Sequence, residues 1–157
     1  RLGWDDAMLN ATQIAVRAEA VGIQMITIHG RTRCQFYKGH ADWRAIRQIK
    51  DAVHIPVIAN GDIVDTATAR TALDQSGSDG VMIGRGAQGK PWLLAQIAHD
   101  IYDTGAPTIP TGPAFADLVA EHYEAMLRFY GETLGHRVSR KHLGWYMDTC
   151  GTCAVPC

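Results

Sequence analysis

Pro56-Val57-Ile58-Ala59-Asn60-Gly61 decides the fold, because an apolar strand rich in β-branched residues runs directly into a glycine and a polar turn. The same pattern of an apolar stretch followed by glycine occurs at residues 25–30 and 81–84, which end at Gly30 and Gly84. The spacing between these glycines fits strand-helix-strand units, which are about 30 residues long. Strands with little polar alternation are typical of parallel sheets that are buried on both faces.

Helical patterns fill the gaps between the three strands. Aspartates precede three of these patterns and glycines follow two of them, which are the residue types that begin and end helices. The predicted signals are, in order, Asp5 or Asp6 with Gly22, then Asp42, then Asp65 with Gly77, and finally Pro91 in the first turn of a fourth helix. The predicted order is therefore α-β-α-β-α-β-α, an α/β fold with a parallel sheet.

The composition changes after residue 104. Residues 105–113 hold three prolines and two glycines, which predicts a linker without regular structure. Two further helices are predicted beyond it, the first ending at Gly131 or Gly135 and the second running from about Val138 to Thr149. The predicted organisation is an α/β domain over 1–104, a linker over 105–113 and a helical domain over 114–157.

The composition excludes several classes of protein. Hydrophobic residues make up 46% of the 157 residues and charged residues 20%, which is globular rather than disordered composition. No run approaches the roughly 20 apolar residues of a membrane span, and no signal core precedes the first strand. The four cysteines are predicted to be reduced thiols of a cytoplasmic protein. Because the net charge is -1, binding to nucleic acid requires a local basic patch.

Two glycine turns at the ends of consecutive strands, Asn60-Gly61-Asp62 and Gly84-Arg85-Gly86, favour a phosphate site. In (β/α)₈ barrels the loops after the last two strands form such a site at the carboxyl ends. Glycine lets backbone N–H groups approach phosphate oxygens, and Arg85 can add a charge-assisted contact. Alternatively, the glycines only permit unusual turn dihedrals.

An open Rossmann sheet is the competing fold, because residues 84–89 spell G-x-G-x-x-G. That fingerprint needs a second strand with an acidic residue about 20 positions further on. Asp103 has this spacing, but it ends a helical pattern and precedes the proline-rich stretch. The Rossmann interpretation is therefore rejected in favour of a barrel.

Three further groups of residues have both a functional and a plain structural interpretation. His29 ends its strand and either donates to a flavin or substrate oxygen or is satisfied by a backbone carbonyl. Basic and aromatic residues mix in two places, which suits nucleic acid but also describes a solvated surface. The first group holds Arg31, Arg33 and Lys38 with Phe36, Tyr37 and Trp43, and the second holds Arg137, Arg140, Lys141 and His142 before Trp145 and Tyr146.

The carboxyl-terminal cysteines form a weak metal signal. Cys150-x-x-Cys153 with Cys157 supplies three ligands, whereas a structural zinc site needs four. Only His136 and His142 are near in sequence, and neither has a zinc-finger spacing. We therefore predict no metal.

Four ordered motifs resemble those of the bacterial tRNA-dihydrouridine synthases, most closely the B-type branch. They are residues 27–33 (TIHGRTR), 58–63 (IANGDI), 82–87 (MIGRGA) and 140–146 (RKHLGWY). The resemblance runs from Arg1 to about Gly151, and the last six residues do not look like the family. It implies the carboxyl-terminal half of a (β/α)₈ TIM barrel, about strands 5–8, followed by a small helical domain.

The resemblance also implies a chemistry and a set of site residues. Such an enzyme uses NADPH to reduce FMN, and the flavin then reduces a uridine of tRNA to 5,6-dihydrouridine. Arg31, Arg33, Arg140 and Lys141 are the expected contacts to the tRNA substrate, and no protein partner is predicted. The expected FMN contacts are Asn60, Gly61, Asp62, Gly84, Arg85 and His29.

The chain departs from the family in one respect that bears on catalysis. The catalytic cysteine of the family lies in an Asn-x-Gly-Cys-Pro segment, which is absent from the 157 residues. We therefore expect the cysteine to lie upstream of this chain, and we expect the chain alone to be inactive. Two alternatives stay open: another FMN-binding barrel that acts on a small molecule, and a non-catalytic RNA-binding module.

Overall fold

The computed structural model describes residues 1–150. Three parallel strands, six α-helices and one 3₁₀ turn make up its regular structure. In chain order the elements are α1 (Ala11–Ala20), β1 (Ile26–His29), α2 (Trp43–Lys50), β2 (Val57–Asn60), α3 (Thr66–Ser76), β3 (Gly80–Met82), the 3₁₀ turn (Arg85–Ala87), α4 (Leu93–Tyr102), α5 (Gly112–Tyr130) and α6 (Glu132–Cys150). The predicted α-β-α-β-α-β-α order is confirmed.

The three strands form one sheet in the order β1-β2-β3, and both pairings are parallel. His29 lies opposite Asn60, and Asn60 lies opposite Met82, so the carboxyl ends of the strands are level. The predicted parallel sheet is confirmed, although each strand is shorter than its apolar stretch. The level ends place the residues that follow each strand along one edge of the sheet.

The core of the sheet lies on one face. Ile28, Val57 and Ala59 are buried there against Ile46 and Ile49 of α2. The alternate residues of the strands, including Ile58 and Met82, are only partly buried or exposed. The predicted burial of both faces is therefore wrong within residues 1–86, because the helices of this part pack on one face of the sheet. Side chains alternate along a strand, so His29 and Asn60 lie on the less covered face.

The helix starts agree with the predicted caps at two of four places. The Asp42 carboxylate accepts a hydrogen bond from the Ala45 N–H at the start of α2. Asp65 caps α3 in the same way and Gly77 ends it in the left-handed conformation, as predicted. The predicted cap at Asp5 or Asp6 is wrong, since α1 begins only at Ala11.

The two wrong starts have local causes. Asp5 accepts a hydrogen bond from the Ala7 N–H, so its carboxylate is used inside a turn that precedes α1. Residues with short polar side chains often bond to nearby backbone in this way rather than cap a helix. Pro91 lies two residues before α4, inside a turn in which the Leu93 N–H donates to the Lys90 carbonyl at 2.9 Å, and the helix begins only at Leu93.

The described residues form two compact units, Arg1–Gly86 and the residues from Ala87 onward. Residues 103–111 contain no helix or strand, and α5 begins at Gly112, inside the predicted linker over 105–113. Gly131 separates α5 from α6, as predicted. The last helix begins at Glu132, six residues before the predicted start at Val138.

The second unit is built on the contact between α5 and α6. Met126 of α5 and Tyr146 of α6 are buried, and the Tyr146 ring meets that of Phe115 edge to face at 5.8 Å between centroids. A β-carbon at Gly135 would lie 2.8 Å from Leu127 Cδ2, so the two helices approach closely there. No helix within residues 1–150 combines the length and the apolar character that crossing a membrane requires.

Candidate functional site

The carboxyl edge of the sheet brings together most of the predicted cofactor residues. The Gly30 N–H donates to the Asn60 carbonyl at 2.9 Å, which extends the pairing of β1 and β2 beyond His29. The Asn60 amide nitrogen donates to the Met82 carbonyl at 2.8 Å. The Asn60 side chain therefore joins the ends of β2 and β3, and its oxygen is the part that can accept a further bond.

Gly61 has a packing role at this edge. Its φ of +116° lies in a region that other residues rarely adopt. An added β-carbon would lie 2.5 Å from His29 Cδ2 and 2.8 Å from Ala41 Cβ. The Gly61 carbonyl accepts a hydrogen bond from the Trp43 indole N–H at 2.9 Å. Within the chain itself, Gly61 is therefore required for close packing against His29.

Gly84 lies in a different environment. An added β-carbon would meet no atom within 4 Å, and its φ is not in the left-handed region. The next residue, Arg85, has a side chain that is 56% exposed. Open backbone beside an accessible guanidinium fits an anionic group such as a phosphate. Of the two turns, the one at Gly84 has both the space and the cation.

Arg31 is a buried cation, with 2% of its side chain exposed. Its Nη1 and Nη2 donate to the two carboxylate oxygens of Asp62 at 2.9 and 2.6 Å. This two-pronged pairing is the strongest geometry available to a guanidinium and a carboxylate. Because Arg31 follows β1 and Asp62 follows β2, the pair joins the loops after two neighbouring strands.

Arg31 also orders the loop that follows it. Its Nε donates to the Lys38 carbonyl at 3.1 Å, and its Nη2 donates to the Gly39 carbonyl at 2.7 Å. The Ala41 N–H donates to the Asp62 carboxylate at 2.7 Å. The guanidinium thus bonds within the chain, whereas the sequence predicted that it contacts the substrate. That contact remains a prediction for Arg31, and the structure gives this residue an architectural role.

Asp62 is the acidic partner of two arginines at this edge. Asp62 is paired with Arg31, and the Arg85 Nη2 lies 3.7 Å from the same carboxylate. Burial acts to raise the pKa of Asp62, but the bonds from Arg31 and from the Ala41 N–H outweigh it, and the pKa is below its ordinary value. Asp62 is therefore ionised at neutral pH, and the two arginines leave one cationic charge in excess.

His29 is a neutral ring at neutral pH. Burial, followed by the positive charges of Arg1 and Arg31, lowers its pKa from the ordinary 6.5. The Arg31 Nη1 lies 3.4 Å from His29 Nε2, and a guanidinium can only donate a hydrogen bond. This contact favours the form of His29 in which Nε2 carries no proton.

Arg33 lies in the exposed part of the loop. Its guanidinium carbon is 5.3 Å from the centre of the Phe36 ring. Arg85, from the end of β3, reaches the same loop, with its guanidinium carbon 4.5 Å from the centre of the Tyr37 ring. Sequence reasoning missed the contact of Arg85 with Tyr37, because the two residues are far apart in the chain and belong to no common motif.

The basic residues of α6 are exposed. Arg137, Arg140 and Lys141 have no carboxylate within 4 Å in the described residues, and Lys141 Nζ lies 5.8 Å from the centre of the Trp145 ring. Unpaired exposed cations on one helix can contact a phosphate backbone. Arg140 and Lys141 lie in a different compact unit from His29, Asn60 and Gly84.

The cysteine signal falls largely outside the described residues. Cys150 is an exposed free thiol at the end of α6, whereas Cys153 and Cys157 lie beyond residue 150. Among residues 1–150, no group of three histidine, cysteine or acidic side chains has the arrangement of a metal site. The prediction that the chain binds no metal stays a prediction.

Comparison with known proteins identifies the family. Residues 1–155 match the sequence model described as dihydrouridine synthase (Dus). The chain belongs to the dihydrouridine synthase family. The match extends past Gly151, so the expectation that the last six residues do not look like the family is wrong for residues 152–155.

Curated relatives cover nearly all of this chain. A probable tRNA-dihydrouridine synthase of Rhodobacter capsulatus is 63% identical over 148 residues, which are 94% of this chain and 46% of the relative. A probable tRNA-dihydrouridine synthase of Rickettsia conorii is 56% identical over 93% of this chain and 44% of its own length. The tRNA-dihydrouridine synthase B of Klebsiella pneumoniae is 46% identical over 94% of this chain and 46% of its own length.

These matches confirm the resemblance drawn from the four motifs, including the likeness to the B-type branch. The chain spans about half the length of the curated relatives it matches.

Proposed function

We propose that this chain forms about half of an FMN-dependent tRNA-dihydrouridine synthase, which reduces a uridine of tRNA to 5,6-dihydrouridine with NADPH. The observation that carries the proposal is the match of residues 1–155 to the dihydrouridine synthase family. Relatives that are 46–63% identical and bear the name tRNA-dihydrouridine synthase support it. A tRNA substrate makes the cytoplasm the proposed compartment.

The proposed architecture is half of a (β/α)₈ barrel followed by a helical domain. The level parallel strands and the helices on one face of the sheet support a barrel segment over 1–104. The stretch without regular structure before α5 supports a linker over 105–113 and a helical domain over 114–157. The catalytic cysteine of the family, the general acid of the reaction, is proposed to lie upstream of this chain.

The proposed cofactor site is the carboxyl edge of the sheet, where the residues present fit the phosphate of FMN. When bound and reduced by NADPH, FMN would supply the hydride for C6 of the uridine. Gly84 leaves room for a phosphate, and Arg85 supplies an accessible cation beside it. The other proposed contacts around this point are Asn60, Gly61, Asp62 and His29.

Within this site the buried pair of Arg31 and Asp62 fixes the geometry. It holds the loop after β1 against the loop after β2, and Gly61 packs directly on the His29 ring. Rigid placement of the groups around a cofactor lowers the cost of binding it in one orientation. His29 can then present an uncharged ring to a bound group, as its lowered pKa supports.

The proposed tRNA contacts are exposed cations in both compact units. Arg33 is exposed in the first unit, and Arg140 and Lys141 are exposed in the second. Arg31 remains a proposed contact only through the loop that it orders, since its own side chain is buried. Contacts of this kind neutralise phosphates and carry most of the affinity for a polyanion.

The proposal is tested with Gly84→Val in the full-length protein that contains this chain. An added β-carbon meets no atom of the chain within 4 Å, so we expect folding to be retained while the space for the phosphate is filled. We expect the variant to be purified with at least tenfold less FMN, measured by flavin absorbance after release from denatured protein. Gly61→Val is the less informative variant, because it would collide with His29 whether or not a cofactor binds.

Gly105→Val is the matched control. Gly105 also has open space at its β-carbon and no left-handed φ, but it belongs to the second compact unit, in the stretch before α5. We expect normal FMN content and dihydrouridine formation on unmodified tRNA for this variant. Full FMN occupancy in Gly84→Val would refute the phosphate site, and absence of dihydrouridine from tRNA treated with the unaltered full-length protein would refute the proposed activity.

A further inference from the structure

The loop between β1 and α2 presents two aromatic side chains to solvent. Phe36 and Tyr37 have 53% and 51% of their surface exposed. Their rings meet edge to face, with centroids 4.7 Å apart and planes at 76°. Large aromatic rings are normally found in a core or at an interface. Within the described residues, Phe36 and Tyr37 belong to no hydrophobic core.

The backbone holds this aromatic pair in place. Phe36 has a φ of 54°, which bulky residues rarely adopt and which is found mainly where the surroundings enforce it. The Arg1 Nη1 donates to the Phe36 carbonyl at 2.9 Å. The buried Arg31 donates to the Lys38 and Gly39 carbonyls just after the pair. The loop is thus an ordered feature of the fold.

Cations flank both rings. The Arg33 guanidinium carbon lies 5.3 Å from the Phe36 ring centre, and that of Arg85 lies 4.5 Å from the Tyr37 ring centre. Residues 31–41 contain Arg31, Arg33, Lys38 and His40 and no acidic residue. Arg85 also belongs to the proposed phosphate site. The aromatic pair therefore lies beside the carboxyl edge of the sheet, in positive surroundings.

We propose that Phe36 and Tyr37 form a stacking surface for an unpaired base of the RNA substrate, with Arg33 beside it to contact the backbone phosphates. Aromatic rings stack on any base, and the neighbouring cations match the charge of the backbone. A protein segment would gain from the rings but would also need acidic residues to match the cations. The inference rests on the proposed function, since it identifies where the tRNA of that reaction is held.

The carboxyl end of α5 carries a second aromatic pair, which lacks flanking cations and therefore serves as a matched control. Phe129 and Tyr130 also meet edge to face, at 4.8 Å between centroids, and 81% of Phe129 is exposed. In the described part of the chain no guanidinium or ammonium group lies over either ring. Exposed aromatic area is therefore comparable in the two pairs, and the flanking cations distinguish them.

The test is the affinity of the full-length protein for an unmodified tRNA transcript. Phe36→Leu with Tyr37→Leu keeps apolar side chains but removes the rings, and we expect binding at least tenfold weaker, as for the loss of base stacking. The slope of log affinity against log salt should not change, because stacking releases no counterions. Arg33→Gln should instead flatten that slope by about one.

Two controls keep the result interpretable. Phe36→Tyr with Tyr37→Phe retains both rings and should bind normally, and Phe129→Leu with Tyr130→Leu should bind normally too. Equal affinity of the Phe36→Leu, Tyr37→Leu variant and the unaltered protein would overturn the inference but leave the proposed function standing. No tRNA binding by the unaltered protein would overturn the proposed function itself. Unchanged tRNA affinity with loss of binding to a protein partner would assign the surface to that partner.

Discussion

Two regions of this chain use basic side chains in opposite ways. At the carboxyl edge of the sheet, Arg31 is 2% exposed and bonded to both oxygens of Asp62. On α6, Arg140 and Lys141 are exposed and have no carboxylate within 4 Å in the described residues. The sequence predicted substrate contact for all three. Arg31 has a structural role because its partner Asp62, 31 residues further along the chain, lies within hydrogen-bond distance. The residue type alone therefore does not tell whether a cation is available to a ligand.

The two regions should also differ in what their cations contribute to stability. Removing one partner of a buried ion pair leaves the other charge uncompensated, which costs far more than the pair itself stabilises. An exposed cation without a partner contributes little to folding. Substitution of a cation should therefore cost more stability at the sheet edge than on α6.

Arg31→Leu should destabilise the full-length protein by about 2 kcal/mol, because it removes the two-pronged partner of the Asp62 carboxylate, a quarter of which is exposed to solvent. It also removes the bonds to the Lys38 and Gly39 carbonyls. The measurement is urea unfolding followed by circular dichroism. Arg140→Leu is the matched control, with an expected change within about 0.5 kcal/mol. Similar losses in the free energy of unfolding for Arg31→Leu and Arg140→Leu would contradict the distinction between the two regions.

The stability of the protein should depend on pH through His29. The pKa of His29 is lowered in the folded protein by burial and by Arg1 and Arg31, so below about pH 6.5 the unfolded chain binds more protons than the folded one. The contribution of His29 to the free energy of unfolding should therefore be fully present above pH 6.5. It should be lost as the pH falls below that value. One such group contributes at most about 1.4 kcal/mol per pH unit, and the partial exposure of His29 makes the effect smaller.

His29→Gln should flatten this pH dependence between about pH 5 and 7, as measured by urea unfolding at several pH values. His142 of α6 also has a lowered pKa, owing to burial and to the charges of His122 and Lys141, so part of the slope should persist in the variant. Combining His29→Gln with His142→Gln should remove both parts. An unaltered slope in the double variant would show that neither ring is held neutral by the fold.

Local signals in the sequence predicted much of the first unit. Asp42 and Asp65 begin helices because their carboxylates bond to backbone N–H groups three residues further on, within reach of a sequence pattern. The parallel strands follow from apolar stretches that end in glycine. The start of α6 was missed because Gly135 weakens a helical pattern, whereas in the structure that glycine allows α6 to pack on Leu127.

The sequence predicted which residues gather at the candidate site, but it did not predict what each of them does there. Gly61 and Gly84 look alike in the sequence, yet one packs on His29 and the other faces open space. The pairing of Arg31 with Asp62 depends on the level ends of β1 and β2, which no local pattern encodes. Burial and long-range partners therefore decide what each of these residues can do.

The most direct test of the central claim, that unpaired cations hold RNA while paired ones build the site, is the salt dependence of tRNA affinity. The variant combines Arg140→Ala and Lys141→Ala in the full-length protein, and its affinity is measured at several salt concentrations. We predict weaker binding and a log-log slope flattened by about one to two, one unit for each lost phosphate contact. FMN content should not change, because no residue of the proposed cofactor site lies in α6. An unchanged slope, or a loss of FMN, would contradict the account.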